Sequence, residues 1–309
     1  VRRRPMQPLI EALCSLGVRC ESTRGNGLAP LAVRGPNAGA RTGIRGDVSS
    51  QFISSLLISS AVKEVDTDIV LTAPLKSRPY VDITREMMRR FGAEFMETAE
   101  GFHVPGGQRY RPQDYTIPGD FSSAAFPLAA GALTGEVTVG NLDPSDAQGD
   151  RAFLDILKAM GARVEWRGTD LRCACAGLHG TDIDLGDAPD LFPMVAVLCA
   201  CAHGQSRIFN AAHVRLKESD RIAATAAFLK DMGADIEETP DGCVVRGGRP
   251  LKGTTVDAHN DHRILMAAAV AALVADGETI ISDGQCHRIS YPGFVQDMRS
   301  LGAVMEMIP

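Results

Sequence analysis

Asp47-Val48-Ser49-Ser50-Gln51, Asp120-Phe121-Ser122-Ser123-Ala124, Asp190-Leu191-Phe192-Pro193 and Asp261-His262-Arg263-Ile264 each lead from an aspartate into a small-residue or apolar run of helical character. The four aspartates stand 73, 70 and 71 residues apart. Gly17, Gly92, Gly161, Gly233 and Gly302 keep the same beat, at intervals of 75, 69, 72 and 69. Each of these glycines ends a short amphipathic segment, as in Leu157-Lys158-Ala159-Met160-Gly161 and Leu229-Lys230-Asp231-Met232-Gly233. A sustained period of this kind is the signature of one supersecondary unit used several times. From aspartate to glycine the complete units run 45, 41, 43 and 41 residues. By the same arithmetic Gly17 calls for an aspartate roughly 26 residues before Val1. The first unit is therefore expected to lack its front half, and the chain to be a piece of a longer protein.

Working outward, the helix that starts near Ser49 carries Phe52, Ile53, Leu56 and Leu57 on one face. Val65 to Leu71 reads as a strand, and Ile83 to Phe91 as a second helix closed by Gly92. Ala93 to Thr98 and Phe102 to Val104 form a hairpin around Glu100-Gly101. The plan returns at Phe153 to Gly161 with Arg163 to Trp166 and Leu171 to Cys173, and at Ile222 to Gly233 with Asp235 to Glu237 and Cys243 to Val245. The order expected of a unit is helix, strand, strand, helix, strand. One such unit cannot bury its own apolar face, whereas three around a common axis can. A boundary near Ile117-Pro118 leaves one and a half units in residues 1–117 and three in residues 118–309. The fold class expected is α/β, a two-lobed repeat architecture with an incomplete first lobe.

Composition bounds the function. Of 309 residues, 45% are hydrophobic and 23% charged, the balance of an ordinary globular protein. The formal net charge of −6 speaks against a nucleic-acid partner. The apolar run Met194 to Ala202 is far too short to span a bilayer, so no membrane partner is expected. The eight cysteines show no disulfide framework and suit a reducing cytoplasm. Cys173 and Cys175, two apart, read as same-face packing in a strand.

Chemistry is sought where the units depart from their common pattern. Helix starts favour anions, because free N–H groups and the macrodipole point outward there. Ser49-Ser50-Gln51 adds two hydroxyls and an amide, a cradle suited to phosphate; the plain alternative is an N-cap, and Ser122-Ser123 stays open to the same reading. His213-Val214-Arg215-Leu216-Lys217-Glu218-Ser219-Asp220-Arg221 is the densest charged stretch, with Lys217 and Arg221 at i, i+4 and so expected on one helical face. A salt-bridged, solvated helix start is its bland reading. Arg263 places a cation at a helix start that the dipole disfavours, which makes sense where both serve one anion. His259 and His262 lack a convincing third ligand, so no metal is expected. Gly35, Gly39, Gly43 and Gly46 match no phosphate-loop pattern, and no cofactor is expected.

Arg4-Pro5-Met6, Asp47-Val48-Ser49-Ser50-Gln51-Phe52, Arg78-Pro79-Tyr80-Val81-Asp82-Ile83-Thr84, Arg215-Leu216-Lys217-Glu218-Ser219-Asp220-Arg221, Asn260-Asp261-His262-Arg263 and Tyr291-Pro292 together resemble the EPSP synthase family, in order and spacing across nearly the whole chain. The resemblance implies two lobes of three units each, and roughly 120 further residues before Val1. It implies transfer of the enolpyruvyl group of phosphoenolpyruvate to the 5-hydroxyl of shikimate 3-phosphate. It assigns Ser49, Ser50 and Ser77 to the shikimate phosphate, and Gln51 and Tyr80 to the ring. Lys217 and His213 would meet the shikimate hydroxyls. Arg4, Arg221 and Arg263, with Gln51, would hold phosphoenolpyruvate, whose anionic groups suit guanidinium forks. Asp190 would take the hydroxyl proton, and Glu218 would serve proton traffic at the methylene carbon.

Two departures stand out. His213 replaces a frequent asparagine, and Ile289 stands where many members carry a lysine, beside Arg288. The family's N-terminal Lys-Ser pair and an arginine have no counterpart, so the chain as written is expected to turn over little. The substrates are the only partners expected, with a monomeric parent. The rival readings are a UDP-N-acetylglucosamine enolpyruvyl transferase and a non-catalytic repeat scaffold.

Overall fold

The structure is a computed structural model that describes residues 4–308. It divides into two compact units, one ending at Thr116 and including Ala147–Gly149, the other made of Ile117–Asp146 and the chain from Asp150 onward.

The first unit holds helices α1 (Gln7–Ser15), α2 (Ser50–Ala61) and α3 (Pro79–Arg90). Arg41–Arg45 and Thr67–Ala73 pair in parallel around α2, and Gly101–Val104 and Met96–Thr98 extend that sheet antiparallel. Ile53, Leu56 and Leu57 of α2 sit at 0% exposure against Ile69, Val81 and Met88, a core belonging to this unit alone. The stripe expected on α2 is thus the buried one. α3 starts four residues earlier than expected, because Pro79 at its first position presets the helical φ and loses no needed donor.

The second unit holds α4 (Phe121–Thr134), α5 (Ala152–Ala159), α6 (Phe192–Cys201), α7 (Arg221–Asp231), α8 (His262–Ala272) and α9 (Phe294–Ser300). Helices α4, α6 and α8 pack against one another at its centre. They are apolar around their whole circumference, as a helix surrounded by protein must be. Every residue of α6 except Cys201 is buried. In α4, a Cβ on Gly131 would lie 2.9 Å from the carbonyl oxygen of Cys173, so only glycine lets the sheet approach this closely.

The internal order of the repeat differs from the expected one. A strand precedes α2, α6 and α8 and pairs in parallel with the strand that follows the helix: Arg41–Arg45 with Thr67–Ala73, Asp182–Asp184 with Gln205–Phe209, and Thr255–Val256 with Ile280–Ile281; α4 has no such leading strand among the described residues. Around α2 and α6 the order is strand, helix, strand, helix and then a hairpin. The leading strands escaped notice because two of them are only three and two residues long. The glycine beat holds: Gly17, Gly92, Gly161, Gly233 and Gly302 each follow a helix C-cap with φ of 82°, 86°, 97°, 90° and 100°. Cys173 is buried as expected, but Cys175 lies beyond the strand's end at Ala174 and is exposed.

Candidate active site

Four helix starts of the second unit bring their side chains together. Arg221, the first residue of α7, is the hub, with its side chain 1% exposed. Its Nε donates to Asp261 Oδ2 at 2.9 Å and its Nη1 to Asp190 Oδ1 at 2.8 Å. Its Nη2 donates to Glu218 Oε2 at 2.7 Å and to Asp261 Oδ1 at 3.2 Å. Burial works against the Arg221 charge, but Asp190, Asp261 and Glu218 outweigh it and hold its pKa above the usual guanidinium range.

Asp190 collects cations. Arg263 Nη2 approaches its Oδ2 at 2.9 Å, and Lys217 Nζ its Oδ1 at 3.7 Å, beside the Arg221 contact. Burial pushes the Asp190 carboxyl up, yet Arg263, Lys217 and Arg221 together hold it well below the usual carboxylate range. Arg263 Nη2 also donates to Ser122 Oγ at 3.0 Å, tying α8 to α4, while its buried Nε has no acceptor among the described residues. Three cations (Lys217, Arg221, Arg263) thus stand against three carboxylates (Asp190, Glu218, Asp261) in direct contact.

The repeat aspartates have parted ways. Asp120 and Asp261 cap α4 and α8 by accepting from the backbone N–H of Ser122 and Arg263. Ser122 and Ser123 donate their hydroxyls to Asp120, so both serve that cap. Asp190 lies in the single 3-10 turn Pro189–Leu191 ahead of α6 and caps nothing, which leaves its carboxylate for side chains. Asp47 pairs with Arg45.

The expected i, i+4 geometry of Lys217 and Arg221 does not occur. Residues Ala212–Leu216 form a 3-10 helix, Lys217 ends it, and α7 begins only at Arg221, because Asp220 caps α7 by accepting from Ala223 N–H. The two cations meet on Asp190 through this irregular bend. His213 lies in the same 3-10 segment, half-buried. His262, buried beside Arg221, is held below its ordinary pKa by burial and then by Arg263 and Arg221, so it is a neutral imidazole at pH 7.

In the first unit, Ser49 is the N-cap of α2 in extended backbone but makes no side-chain cap bond, unlike Asp120 and Asp261. Ser50 is buried, and Gln51 is exposed in the first turn. Ser77 is buried at φ 55°, a left-handed conformation that is costly for a serine and concentrates at working sites. Tyr80 sits in the first turn of α3, and Arg4 precedes α1. Ile289 ends the 3-10 helix Gly284–Ile289 and is 65% exposed.

Sequence reading missed Asp261 as a site group. Its signal was present: an acidic residue followed by His262-Arg263 in a repeat whose other aspartates precede small or apolar residues.

Comparison with known proteins identifies the family. The sequence profile of EPSP synthase (3-phosphoshikimate 1-carboxyvinyltransferase) matches residues 1–298. The 3-phosphoshikimate 1-carboxyvinyltransferase of Methanocorpusculum labreanum is 51% identical over 98% of the chain and 71% of the relative. That of Methanocella arvoryzae is 52% identical over 99% of the chain and 73% of the relative. The EPSP synthase structure from Acinetobacter baumannii superposes with a TM-score of 0.81 at 27% identity, over 99% of this chain and 72% of that one. The enolpyruvyl transferase NikO from Streptomyces tendae, at 21% identity and a TM-score of 0.77 over 96% and 71% of the two chains, shares the fold. With that profile matching residues 1–298 and about half of the aligned positions identical to the Methanocorpusculum labreanum and Methanocella arvoryzae relatives, the chain belongs to the EPSP synthase family.

Proposed function

We propose that this chain carries the machinery for moving the enolpyruvyl group of phosphoenolpyruvate to the 5-hydroxyl of shikimate 3-phosphate, releasing phosphate. The transfer needs the hydroxyl oxygen to attack C2 of phosphoenolpyruvate while C3 gains a proton. Phosphate then leaves as C3 gives a proton back. One group must take the hydroxyl proton and another must lend and recover the methylene proton. Asp190 is the acceptor and Glu218 the shuttle. The observation that carries this reading is that both carboxylates share the buried guanidinium of Arg221.

The charge balance explains how a weak base becomes competent. Asp190 is in contact with Arg263, Lys217 and Arg221. A substrate carboxylate or phosphate draws Arg263 and Lys217 to itself, aided by the Nε–H of Arg263, which has no acceptor among the described residues. Asp190 then loses stabilising cations, its pKa rises, and it accepts a proton more readily. Arg221 has spent most of its donors on carboxylates, so its part is to hold Asp190 and Glu218 more than to grip ligand. On the first unit, Ser49, Ser50 and Ser77 hold the shikimate phosphate, with Gln51 and Tyr80 toward the ring. Arg4 and Gln51 are the phosphoenolpyruvate ligands assigned to that unit. In the second unit, His213 and Lys217 are assigned to shikimate hydroxyls and Arg263 to phosphoenolpyruvate.

Calorimetric titration tests the substrate choice. Shikimate 3-phosphate is expected to bind saturably, and phosphoenolpyruvate to bind more tightly in its presence, while UDP-N-acetylglucosamine gives no heat. Binding of the nucleotide sugar alone would refute the assignment.

A further inference from the structure

Asp261 is fully buried, at 0% exposure, and the hydrogen bonds its carboxylate accepts come from Arg221, Ser219 and Arg263. Its Oδ2 accepts from Arg221 Nε at 2.9 Å and from Ser219 Oγ at 2.9 Å. Its Oδ1 accepts from Arg221 Nη2 at 3.2 Å and from the backbone N–H of Arg263 at 3.0 Å. The side-on contact with Nε and Nη2 is the bidentate geometry that fixes a guanidinium in its plane. Once that edge is taken, the other edge of Arg221 has one direction left, toward Asp190 through Nη1 and Glu218 through Nη2. The same carboxylate caps α8 and so fixes the backbone that carries Arg263.

We propose that Asp261 is a positioning residue for the transfer: it locks Arg221 so that Asp190 and Glu218 are held in register with Arg263. This rests on the functional reading above for its purpose, and on geometry alone for its existence. A buried carboxylate and guanidinium with helix capping alone would serve stability; positioning adds that Arg221 loses its orientation when Asp261 is changed. A displacement of about 1 Å at a reacting group is enough to cost on the order of a hundredfold in rate.

The test uses Asp261→Asn, which keeps shape and one acceptor but removes the second acceptor and the charge. In chain labelled with ¹⁵N-arginine, the Arg221 Nε–H resonance is identified by its loss in Arg221→Lys. Asp261→Asn is expected to speed its exchange with water about tenfold or more, the scale of losing one charge-assisted bond, while circular dichroism is unchanged. Phosphoenolpyruvate affinity, measured with shikimate 3-phosphate present, is expected to fall about tenfold. In the Arg221→Lys background, Asp261→Asn is expected to cost no further affinity, because it acts through Arg221. Unchanged Arg221 exchange, or additive losses in the double variant, would overturn the proposal. Should Asp261→Asn fail to fold, Ser219→Ala removes one partner of Asp261 and is expected to move the same resonance in the same direction, by about threefold; an unmoved resonance overturns the proposal equally. If the unaltered chain binds no phosphoenolpyruvate yet its Arg221 resonance depends on Asp261, positioning stands and the functional reading falls.

Discussion

Arg221, Asp190 and Asp261 show why single residues here resist reading in isolation. As a sequence, Lys217-Glu218-Ser219-Asp220-Arg221 has the pattern of a solvated helix face; in the fold, Arg221 is among the most buried side chains and contacts carboxylates 31 and 40 positions away. Such distances lie outside any local pattern, which is why the role of Asp190 came from resemblance and Asp261 was passed over, whereas Arg263 and the stretch holding Glu218 stood out by their own charge pattern. A pH dependence follows. Burial pushes Asp190 and Asp261 up, and their cations outweigh it, so both titrate below the ordinary carboxylate range. A folded-state pKa below the unfolded value of about 3.9 gives stability that is complete above that value and lost as pH falls through the folded one. The thermal midpoint of the second unit is therefore expected to drop below about pH 4, and to drop less steeply in Asp190→Asn. A wild-type midpoint that stays level between about pH 5 and pH 3 would contradict this. Ile289 offers a second residue-scale check. It is exposed enough to accept Ile289→Lys with a stability change within about 0.5 kcal/mol. The added ammonium is expected to tighten phosphoenolpyruvate binding, read by calorimetry; unchanged or weaker binding would remove Ile289 from the site.

At the scale of elements, what was legible were the features that repeat with strict local chemistry. The glycine that ends each amphipathic helix was visible because a left-handed residue after a C-cap favours glycine so strongly. Gly233→Ala, at φ 90°, is expected to cost about 1 kcal/mol, measurable by denaturant unfolding; a neutral change would mean the cap is not needed there. The inner helices were legible as apolar runs. The short parallel strands before them were not, because Asp182–Asp184 and Thr255–Val256 are too brief to show alternation and owe their pairing to the strands beyond the helix. Lys217 and Arg221 do not share the helical face expected of them, because Lys217 ends the 3-10 helix Ala212–Leu216 and the capping by Asp220 starts α7 only at Arg221. That bend is what lets Lys217 and Arg221 reach Asp190 from different directions.

At the scale of the molecule, each unit has its own buried cluster: Ile53, Leu56 and Leu57 with their neighbours in one, the α4, α6 and α8 contacts in the other. Separate cores predict separate cooperative unfolding. Leu198→Ala is expected to destabilise the second unit by about 2–5 kcal/mol, and Leu57→Ala the first by a like amount, each lowering a different transition in scanning calorimetry. A single transition lowered equally by both would refute independent cores. The repeat itself was readable from the period alone, since 70-residue beats demand repeated units whatever their inner order. The central claim is chemical, and stoichiometric chemistry tests it without depending on rate. The chain at a concentration equal to that of shikimate 3-phosphate and ¹³C-labelled phosphoenolpyruvate can be followed by ¹³C and ³¹P NMR. A carboxyvinyl ether and free phosphate, formed only with both substrates and lost in Asp190→Asn, are the predicted result. Folded chain that binds both substrates and never forms the ether would contradict it.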